Sequence, residues 1–417
     1  MMEGRDDRFY YVTSESVTEG HPDKVCDQIA DGILDAYLEQ DSKSRVAIEA
    51  MASAYVLMLA GEVTSKGHVD AAAKAREIIR RIGYTEHGKG FDADTCMIFT
   101  NIHNQSPDIS MGVTRSSETG KEVLGGGDQG IMYGYAVNET ESLMPLSCHL
   151  ANRLAQRLAY VRKVLKTDFL YPDGKTQITM KYDKAGKPVG IHSVVVSVQH
   201  GEAVSHELLD AFIRCTVIEP VIDSRWITPE TRIHVNPTGR FFIGRPAGDT
   251  GVTGRKIMVD TYGTIGKHGG GAFSGKDPSK VDRSATYAAR WIAKNMVAAG
   301  VSDEMLVQVA YAIGVAEPVS VYVNTYGKSH VGMADSEIAK KVAELFDLRP
   351  RAIEQRLQLR RPIYFETASY GHMGRRNETT HKVFSSLYHE TKPMDVELFT
   401  WEKLDRVDDI KKAFHLK

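Results

Sequence analysis

Apolar positions recur with helical spacing in several parts of the chain. In the most regular part every fourth residue is apolar, and a proline stands where a first helical residue is favoured. The apolar positions are Val25, Ile29, Ile33 and Tyr37, and the proline is Pro22. The same reasoning predicts helices at 69–82, which Gly83 would end, and at 145–166, 205–221 and 282–299.

Alternating and β-branched runs between these helices predict strands. Residues 177–182 and 193–198 alternate around a polar turn, as the strands of an antiparallel hairpin would. A later run, 306–323, is β-branched and is interrupted near Gly314 and Pro318. Because strand pairs and helices alternate three times, the pattern predicts an α+β chain of related modules. Each module would have helices covering one face of a mixed or antiparallel sheet.

The most apolar stretch, 50–60, is interpreted as one buried strand. It is too short to cross a bilayer and is flanked by Glu49 and Glu62. The amino terminus, 1–8, is charged and lacks the apolar core of a signal peptide. The four cysteines are far apart and form no C-x-x-C pair, so neither a zinc site nor a disulfide framework is indicated. These features favour a cytoplasmic protein without a membrane partner.

Length and charge limit the function classes further. A chain of 417 residues with 42% hydrophobic content predicts two or three domains with ordinary cores. Lys plus Arg at 52 nearly balance Asp plus Glu at 54, so no overall field attracts nucleic acid. Any anionic ligand must therefore be bound locally.

A glycine-rich segment carries the clearest chemical signal. Gly270 to Lys276 matches the G-x-x-x-x-G-K part of a phosphate loop, but Asp277 and Pro278 stand where that loop needs a hydroxyl and a helix start. The nucleotide-fold interpretation fails there. Two interpretations of the segment have equal weight at this point. It is either an anion-binding loop in which Lys276 is a point charge, or a tight glycine turn with a solvated lysine.

Charged residues near this segment change that balance. Arg255 and Lys256 follow a Gly/Thr-rich turn, and Lys280 and Asp282 follow Lys276 closely. Such density suggests a polyphosphate and its metal ion. Each residue taken singly is still more simply explained as part of a solvated face.

The predicted first helix presents a row of carboxylates. Four aspartates spaced by four positions share one face, namely Asp23, Asp27, Asp31 and Asp35. Asp23 in the first turn is favoured by the helix dipole and suits magnesium, which prefers hard oxygen ligands. The deeper aspartates are interpreted as solvated or paired, and His21 alone would be a turn residue.

A long polar segment, 103–127, has no sustained periodicity. In a compact enzyme such a segment suggests a mobile active-site loop or lid, with plain disorder as the alternative. It ends in a glycine cluster around Asp128, which by itself is a weak signal.

Four motifs in order together resemble the S-adenosylmethionine synthetase (methionine adenosyltransferase) family of the bacterial type. The motifs are Glu19–Lys24, Gly125–Gly130, Asn236–Phe241 and Gly269–Ser284. The resemblance implies a transferase in which methionine sulfur displaces intact triphosphate from C5′ of ATP. The bound triphosphate would then be hydrolysed to phosphate and pyrophosphate.

The resemblance also implies roles for individual positions. His21 would lie near the ribose and triphosphate, and the phosphates would be cradled by Lys175, Arg255, Lys256 and Lys276. Further ATP contacts would be Asp173, Arg240, Phe241, Asp249 and Ala272. Methionine contacts would be Glu62, Gln105, Asp249 and Lys280, with Asp128 in the same pocket. Two Mg²⁺ per site would use Asp23 and Asp282, and an activating K⁺ would use Glu49.

The family's assembly and fold are implied in the same way. Active sites would lie between two subunits of a homodimer, and a homotetramer of two dimers is common. The fold would be three modules with pseudo-threefold symmetry, at approximately 1–110, 124–243 and 244–417, whose segments interleave in space.

Two rival functions use the same residues. Phosphoryl transfer from ATP would need the same cations and magnesium ligands but would give ADP as product. A catalytically silent nucleotide-binding subunit would be expected to lack His21, Lys276 or Asp282, and all are present.

Overall fold

The computed structural model describes residues 8–104, 114–116, 122–124, 128–386 and 388–417. The helices are α1 (Pro22–Gln40), α2 (Ala71–Ile82), α3 (Leu146–Lys163), α4 (His206–Ile213), α5 (Arg245–Gly248), α6 (Ile257–Asp260), α7 (Val281–Ala298), α8 (Asp335–Leu345), α9 (Pro350–Arg356) and α10 (Val407–Ala413). The strands are β1 (Phe9–Val17), β2 (Arg45–Ser53), β3 (Val56–Thr64), β4 (Met97–His103), β5 (Thr114–Ser116), β6 (Glu122–Leu124), β7 (Gly130–Val137), β8 (Leu170–Asp183), β9 (Pro188–His200), β10 (Arg232–Val235), β11 (Gly251–Val252), β12 (Glu304–Tyr311), β13 (Ser320–Asn324), β14 (Glu378–Phe384) and β15 (Lys392–Leu398).

Three larger sheets form the frame, in the strand orders β1-β8-β9-β10, β11-β2-β3-β4 and β13-β12-β7. Two of them are mixed, because β10 lies parallel to β9 and β4 parallel to β3, and the third is antiparallel. One long helix packs on each: α3 on the first, α1 on the second and α7 on the third. Each of these helices has 18 or 19 residues. The predicted α+β architecture of three sheet-and-helix modules is confirmed.

Each sheet draws strands from distant parts of the chain. β1 pairs with β8, β7 pairs with β12, and β11 pairs with β2. Loops from distant parts of the chain therefore contact α1. The backbone N–H of Gly254, for example, donates to Asp27, which lies more than 200 positions earlier in the chain.

The interpretation of 50–60 as one buried strand was wrong. The stretch contains a hairpin: β2 and β3 pair antiparallel around Ala54, which has φ 46°. Ala52 and Leu57 face the core, whereas Met51 and Met58 are exposed. Because the outer face is also apolar and the turn contains no glycine or proline, hydropathy alone gave no sign of the reversal.

The predicted loop 103–127 lies mostly outside the described residues. Within it, β5 and β6 pair antiparallel. Gln105 belongs to the part that the structure does not describe.

No helix in the described ranges combines the length and the apolar character needed to cross a bilayer.

Helix α7 and strand β7 approach each other closely at Gly134. A Cβ on this glycine would lie 2.0 Å from the backbone carbonyl of Ala289. We expect Gly134→Ala to lower the free energy of unfolding by about 1–3 kcal/mol, since the helix must move away. Denaturant unfolding measures this, with Gly332→Ala as the control because a Cβ there meets no atom within 4 Å. Equal stability of the two variants would contradict the close packing.

Candidate active site

The start of α1 holds the first predicted site residues. Pro22 opens the helix and His21 is its N-cap, where His21 Nδ1 accepts a hydrogen bond of 3.2 Å from the backbone N–H of Asp23. The pKa of His21 is lowered to about 3, mainly by burial and secondly by the nearby Lys256 ammonium. The imidazole is therefore neutral, and because Nδ1 is the acceptor its proton is on Nε2.

Asp23 is fully buried. It is surrounded by donors from residues 251–256, which comprise β11 and the turn after it and are called the β11 turn below. It accepts from the backbone N–H of Val252 at 2.9 Å and from Lys256 Nζ at 2.5 Å, and Arg255 Nε lies 3.2 Å away. Burial opposes ionisation of Asp23, but the hydrogen bonds from Lys256 and Val252 outweigh it and lower the pKa. The structure thus brings Asp23, Arg255 and Lys256 together as predicted.

Strand β8 carries Asp173 and Lys175 to the same region. Lys175 pairs with Val17 at the end of β1 and is near enough to His21 to help lower its pKa. Asp173 Oδ2 accepts from the backbone N–H of Arg245 at 2.9 Å, and burial raises the Asp173 pKa to about 6. Its other oxygen, Oδ1, is buried and has no hydrogen-bond partner within the described part of the chain.

The Asn236–Phe241 motif is attached to the end of β9. The Asn236 side chain exchanges two hydrogen bonds with the Val198 backbone, at 2.8 and 2.9 Å, and the Phe241 carbonyl accepts from the His200 N–H at 3.1 Å. Arg240 beside it is exposed. Asp249, at the end of α5, is also exposed and contributes to raising the Asp173 pKa.

The glycine loop runs along the part of β2 that is not paired with β11. The Gly275 carbonyl accepts from the Ile48 N–H at 3.1 Å, and Lys276 forms a bridge with Ala47. Lys276 Nζ lies 2.7 Å from Asp282 Oδ2, in the first turn of α7. Since α7 begins only at Val281, the prediction that no helix starts directly behind Lys276 is confirmed.

Two further carboxylates lie on the neighbouring strands. Glu49 on β2 is close to Lys276, and burial raises the Glu49 pKa to about 6, with the lysine opposing the shift. Glu62 on β3 has its Oε1 3.6 Å from His103 Nε2. Lys280 pairs with Asp277 and donates to the Val46 carbonyl at 3.2 Å.

The glycine loop and the β11 turn touch each other. A Cβ on Gly254 would lie 2.5 Å from the Ala272 Cβ, and one on Gly271 would lie 2.3 Å from Asp282 Oδ1. A Cβ at either glycine would force its neighbour to move. Asp128, just before β7, is exposed, and its Oδ1 accepts from the Gln129 N–H at 2.8 Å. Among the residues that the structure describes, no hydrogen bond or ion pair joins the Asp128 side chain to another predicted site residue.

Sequence reasoning missed the role of the deeper aspartates of α1. Asp27 accepts from the Gly254 N–H and Asp31 from the Gly275 N–H, each at 2.8 Å. Asp35 accepts from the backbone of Tyr364 and from Lys382 Nζ. All three are buried, so the alternatives of solvation and pairing resolve in favour of pairing. Their spacing by four was the signal, because it places them along one face that receives successive loops.

A separate cluster could also hold a cation. His87, Asp92 and Asp94 bring ligand atoms within 4.8 Å of one another. Asp92 already accepts from the backbone of Asp94 and Thr95, at 2.9 Å each. Hydrogen bonding within this loop accounts for the cluster, and it does not include the predicted metal ligands.

Cations and carboxylates from the β11 turn, strand β8 and the glycine loop therefore lie around helix α1. The positive groups fit an extended polyphosphate, and the carboxylate oxygens fit a hard metal ion. The alternative of a glycine turn with a solvated lysine is not supported, because Lys276 is paired and its loop is hydrogen-bonded to β2.

Comparison with known proteins identifies the class of site. Profiles of the S-adenosylmethionine synthetase N-terminal, central and C-terminal domains match residues 9–107, 123–241 and 243–382. The S-adenosylmethionine synthase of Phocaeicola vulgatus is 56% identical over 98% of this chain and 100% of its own. That of Porphyromonas gingivalis is 53% identical over 98% and 99%, and that of Flavobacterium johnsoniae is 53% identical over 98% and 100%.

Full-length similarity at this level, across all three domains, supports adenosyl transfer over phosphoryl transfer as the reaction class. Enzymes of this family depend on metal ions and use ATP and methionine as substrates. The chain belongs to the S-adenosylmethionine synthetase family, and it transfers the adenosyl group of ATP to methionine sulfur with release of phosphate and pyrophosphate.

Proposed function

We propose that the residues gathered around α1 and the glycine loop carry out both steps of this reaction. The observation that carries the proposal is the contact between two cation-bearing segments, the β11 turn and the glycine loop. Arg255 and Lys256 meet Asp23 on the first, Lys276 meets Asp282 on the second, and the two segments touch at Ala272.

In the first step, a sulfur lone pair of methionine attacks C5′ of ATP. The C5′–O bond breaks, its electrons pass to the triphosphate, and a sulfonium ion forms. No general base is needed, because a thioether carries no proton. Negative charge grows on the leaving oxygen, so Lys175, Lys256 and Lys276 lower the barrier by stabilising it. Neutral His21 donates its Nε2 proton in a hydrogen bond to that oxygen or to a neighbouring phosphate oxygen.

In the second step, water attacks the bound triphosphate and gives phosphate and pyrophosphate. Arg255 is our first choice for stabilising the charge that develops here. Its guanidinium is about half exposed at 49% and is oriented by Asp23 and by the Thr250 carbonyl, to which Nη2 donates at 3.1 Å. It can therefore reach a ligand while remaining attached to the turn.

The remaining residues would bind the substrates. Asp173, whose Oδ1 finds no hydrogen-bond partner among the described residues, supports a contact to ATP. Further ATP contacts would come from Arg240, Phe241, Asp249 and Ala272. Methionine would be bound by Glu62, Gln105, Asp249 and Lys280, with Asp128 in the same pocket.

Magnesium and potassium are the metals we assign to this site. Asp23 and Asp282 offer carboxylate oxygens, the ligand type that Mg²⁺ prefers, and Gly271 leaves the Asp282 oxygen uncovered by a Cβ. Two Mg²⁺ per site would neutralise phosphate charge when bound. Glu49, with a pKa of about 6, is ionised at neutral pH and would bind K⁺.

The role of Lys276 is tested by Lys276→Met. We expect the rate of S-adenosylmethionine formation to fall by about 10²- to 10³-fold, with a smaller change in the binding of a non-hydrolysable ATP analogue, since the lost charge acts mainly on the transition state. Lys267→Met, at an exposed lysine before the loop, is the matched control. Equal rates for both variants would remove Lys276 from the site.

A homodimer with active sites at its interface is also proposed. The outer face of β2, β3 and β4 and the turn between the first two strands expose large apolar residues, each 37–54% exposed, namely Met51, Tyr55, Met58, Met97 and Phe99. Contiguous apolar surface of this kind is typical of an interface. Glu49 and Glu62 lie on the same two strands, so a partner seated here would adjoin the site. Two such dimers would form a tetramer.

This interface predicts that Phe99→Glu weakens self-association by about 100-fold or more, because a charge would be buried against apolar surface. Sedimentation equilibrium measures the dissociation constant. Leu208→Glu on α4, an equally exposed apolar position at 57%, is the control. If both variants self-associate like the wild type, the interface lies elsewhere.

A reducing compartment such as the cytoplasm fits the cysteines. Cys26, Cys96 and Cys148 are buried and Cys215 is exposed, and all four are free thiols. Burial raises the pKa of the first three, which keeps them unreactive.

A further inference from the structure

Arg283, in the first turn of α7, is fully buried and forms a bidentate pair with Asp31 of α1. Nη1 lies 2.7 Å from Oδ1 and Nη2 lies 2.8 Å from Oδ2. The pair therefore joins the helices of two different modules. A bidentate guanidinium–carboxylate pair holds both planes in one orientation, which an ammonium group cannot do.

The same two side chains hold the backbone of the glycine loop. Arg283 Nη1 also donates to the carbonyls of Phe273 and Lys276, at 2.9 and 3.1 Å. Asp31 Oδ1 accepts from the N–H of Gly275 at 2.8 Å. Gly275 has φ 80°, and a Cβ there would lie 1.9 Å from the Ile48 carbonyl oxygen. The two side chains thus hold three backbone groups of the loop between Phe273 and Lys276.

The remaining donors of Arg283 are directed away from the loop. Nε donates to the Tyr287 hydroxyl at 3.1 Å and Nη2 to Thr367 Oγ1 at 3.0 Å. The guanidinium is therefore hydrogen-bonded through all three nitrogens, which fixes its orientation. Neither Asp31 nor Arg283 is exposed, so neither can touch a substrate directly.

We propose that Asp31 and Arg283 are positioning residues, which set the place of Lys276 relative to the cations held by Asp23. The proposal rests on the role of Lys276 proposed above. Asp23 and Asp31 are eight residues apart on one rigid helix, roughly 12 Å along its axis. Helix α1 thus spaces the β11 turn from the glycine loop, and displacement of either loop by about 1 Å can cost about 10²-fold in rate.

The chain contains a matched control for this pair. Arg290 lies on the same helix, is equally buried, and pairs with Glu402 through Nε and Nη2, both at 3.1 Å. Its other contacts are the carbonyls of Tyr135, Ser142 and Leu143. None of these residues is assigned to the site. Arg283→Lys and Arg290→Lys should therefore lower Tm similarly and differ in catalysis.

The experiment measures Tm, kcat and both KM values for the two variants. We expect Arg283→Lys to lower kcat by about 10- to 100-fold with less than about threefold change in the KM for methionine. Arg290→Lys should keep kcat within about threefold. Equal loss of kcat in the two variants, or an unchanged kcat in folded Arg283→Lys, would overturn the proposal. If Arg283→Lys does not fold, Asp31→Asn and Glu402→Gln form a second matched pair with the same expected contrast.

A double-mutant cycle with Lys276→Met separates the two levels of the argument. If Arg283 acts through Lys276, Arg283→Lys should lower kcat by less than about threefold once Lys276 is methionine. If the two substitutions instead lower kcat independently of each other, the positioning role is refuted and the proposed function of Lys276 stands. A normal kcat for Lys276→Met by itself would instead refute the proposed function of Lys276, and with it this inference.

Discussion

Leucine in place of Arg255 is expected to slow hydrolysis of the bound triphosphate by about 10²- to 10³-fold, while ATP binding weakens much less. Leucine keeps part of the side-chain bulk but removes the charge that would stabilise the leaving pyrophosphate. Because Lys256 remains paired with Asp23 at 2.5 Å, the β11 turn should keep its conformation. Single-turnover reactions that follow S-adenosylmethionine and phosphate separately distinguish the two steps.

Arg225→Leu is the control for that variant. Arg225 Nε lies 3.3 Å from Asp223 Oδ2, much as Arg255 Nε lies 3.2 Å from Asp23 Oδ1, and neither Arg225 nor Asp223 is assigned to the proposed site. An unchanged rate of triphosphate hydrolysis in Arg255→Leu would refute the assigned role. Equal slowing of both variants would point to a general electrostatic effect.

Removal of magnesium should have a still larger effect. Chelation is expected to lower the rate of S-adenosylmethionine formation by at least about 10³-fold, because the triphosphate charge would no longer be neutralised near Asp23 and Asp282. Excess Mg²⁺ should restore the rate, and chelator saturated with Mg²⁺ beforehand should have no effect. Full turnover in excess free chelator would remove the magnesium assignment.

Local patterns in the sequence predicted much of the fold. Helical spacing identified α1, α3 and α7, and alternation identified the β8–β9 hairpin. Pro278 correctly separated the glycine loop from α7. These features depend on residues that are close in sequence, so the chain reveals them directly.

Long-range partners were not readable in the same way. Asp27 and Asp31 accept hydrogen bonds from the backbone N–H groups of Gly254 and Gly275, each more than 220 positions away. Nothing in the composition near a glycine indicates which carboxylate its amide will meet. The row of aspartates indicated one polar face, and only the fold identifies it as the surface that holds the site's loops.

The hairpin at Ala54 failed for a different reason. Turns are predicted from glycine, proline and strongly polar residues, and the two residues of this turn are Ala54 and Tyr55. Both faces of β2 and β3 are apolar near the turn, with Leu57 buried and Met58 exposed. The usual alternation of polar and apolar residues was absent because the exposed face is apolar too.

The most direct test is product analysis of the wild-type protein. Purified protein is incubated with ATP, methionine, Mg²⁺ and K⁺, and the products are resolved by chromatography with mass detection. We expect S-adenosylmethionine, phosphate and pyrophosphate in equal amounts. ADP as the nucleotide product, or ATP binding without turnover, would contradict adenosyl transfer at this site.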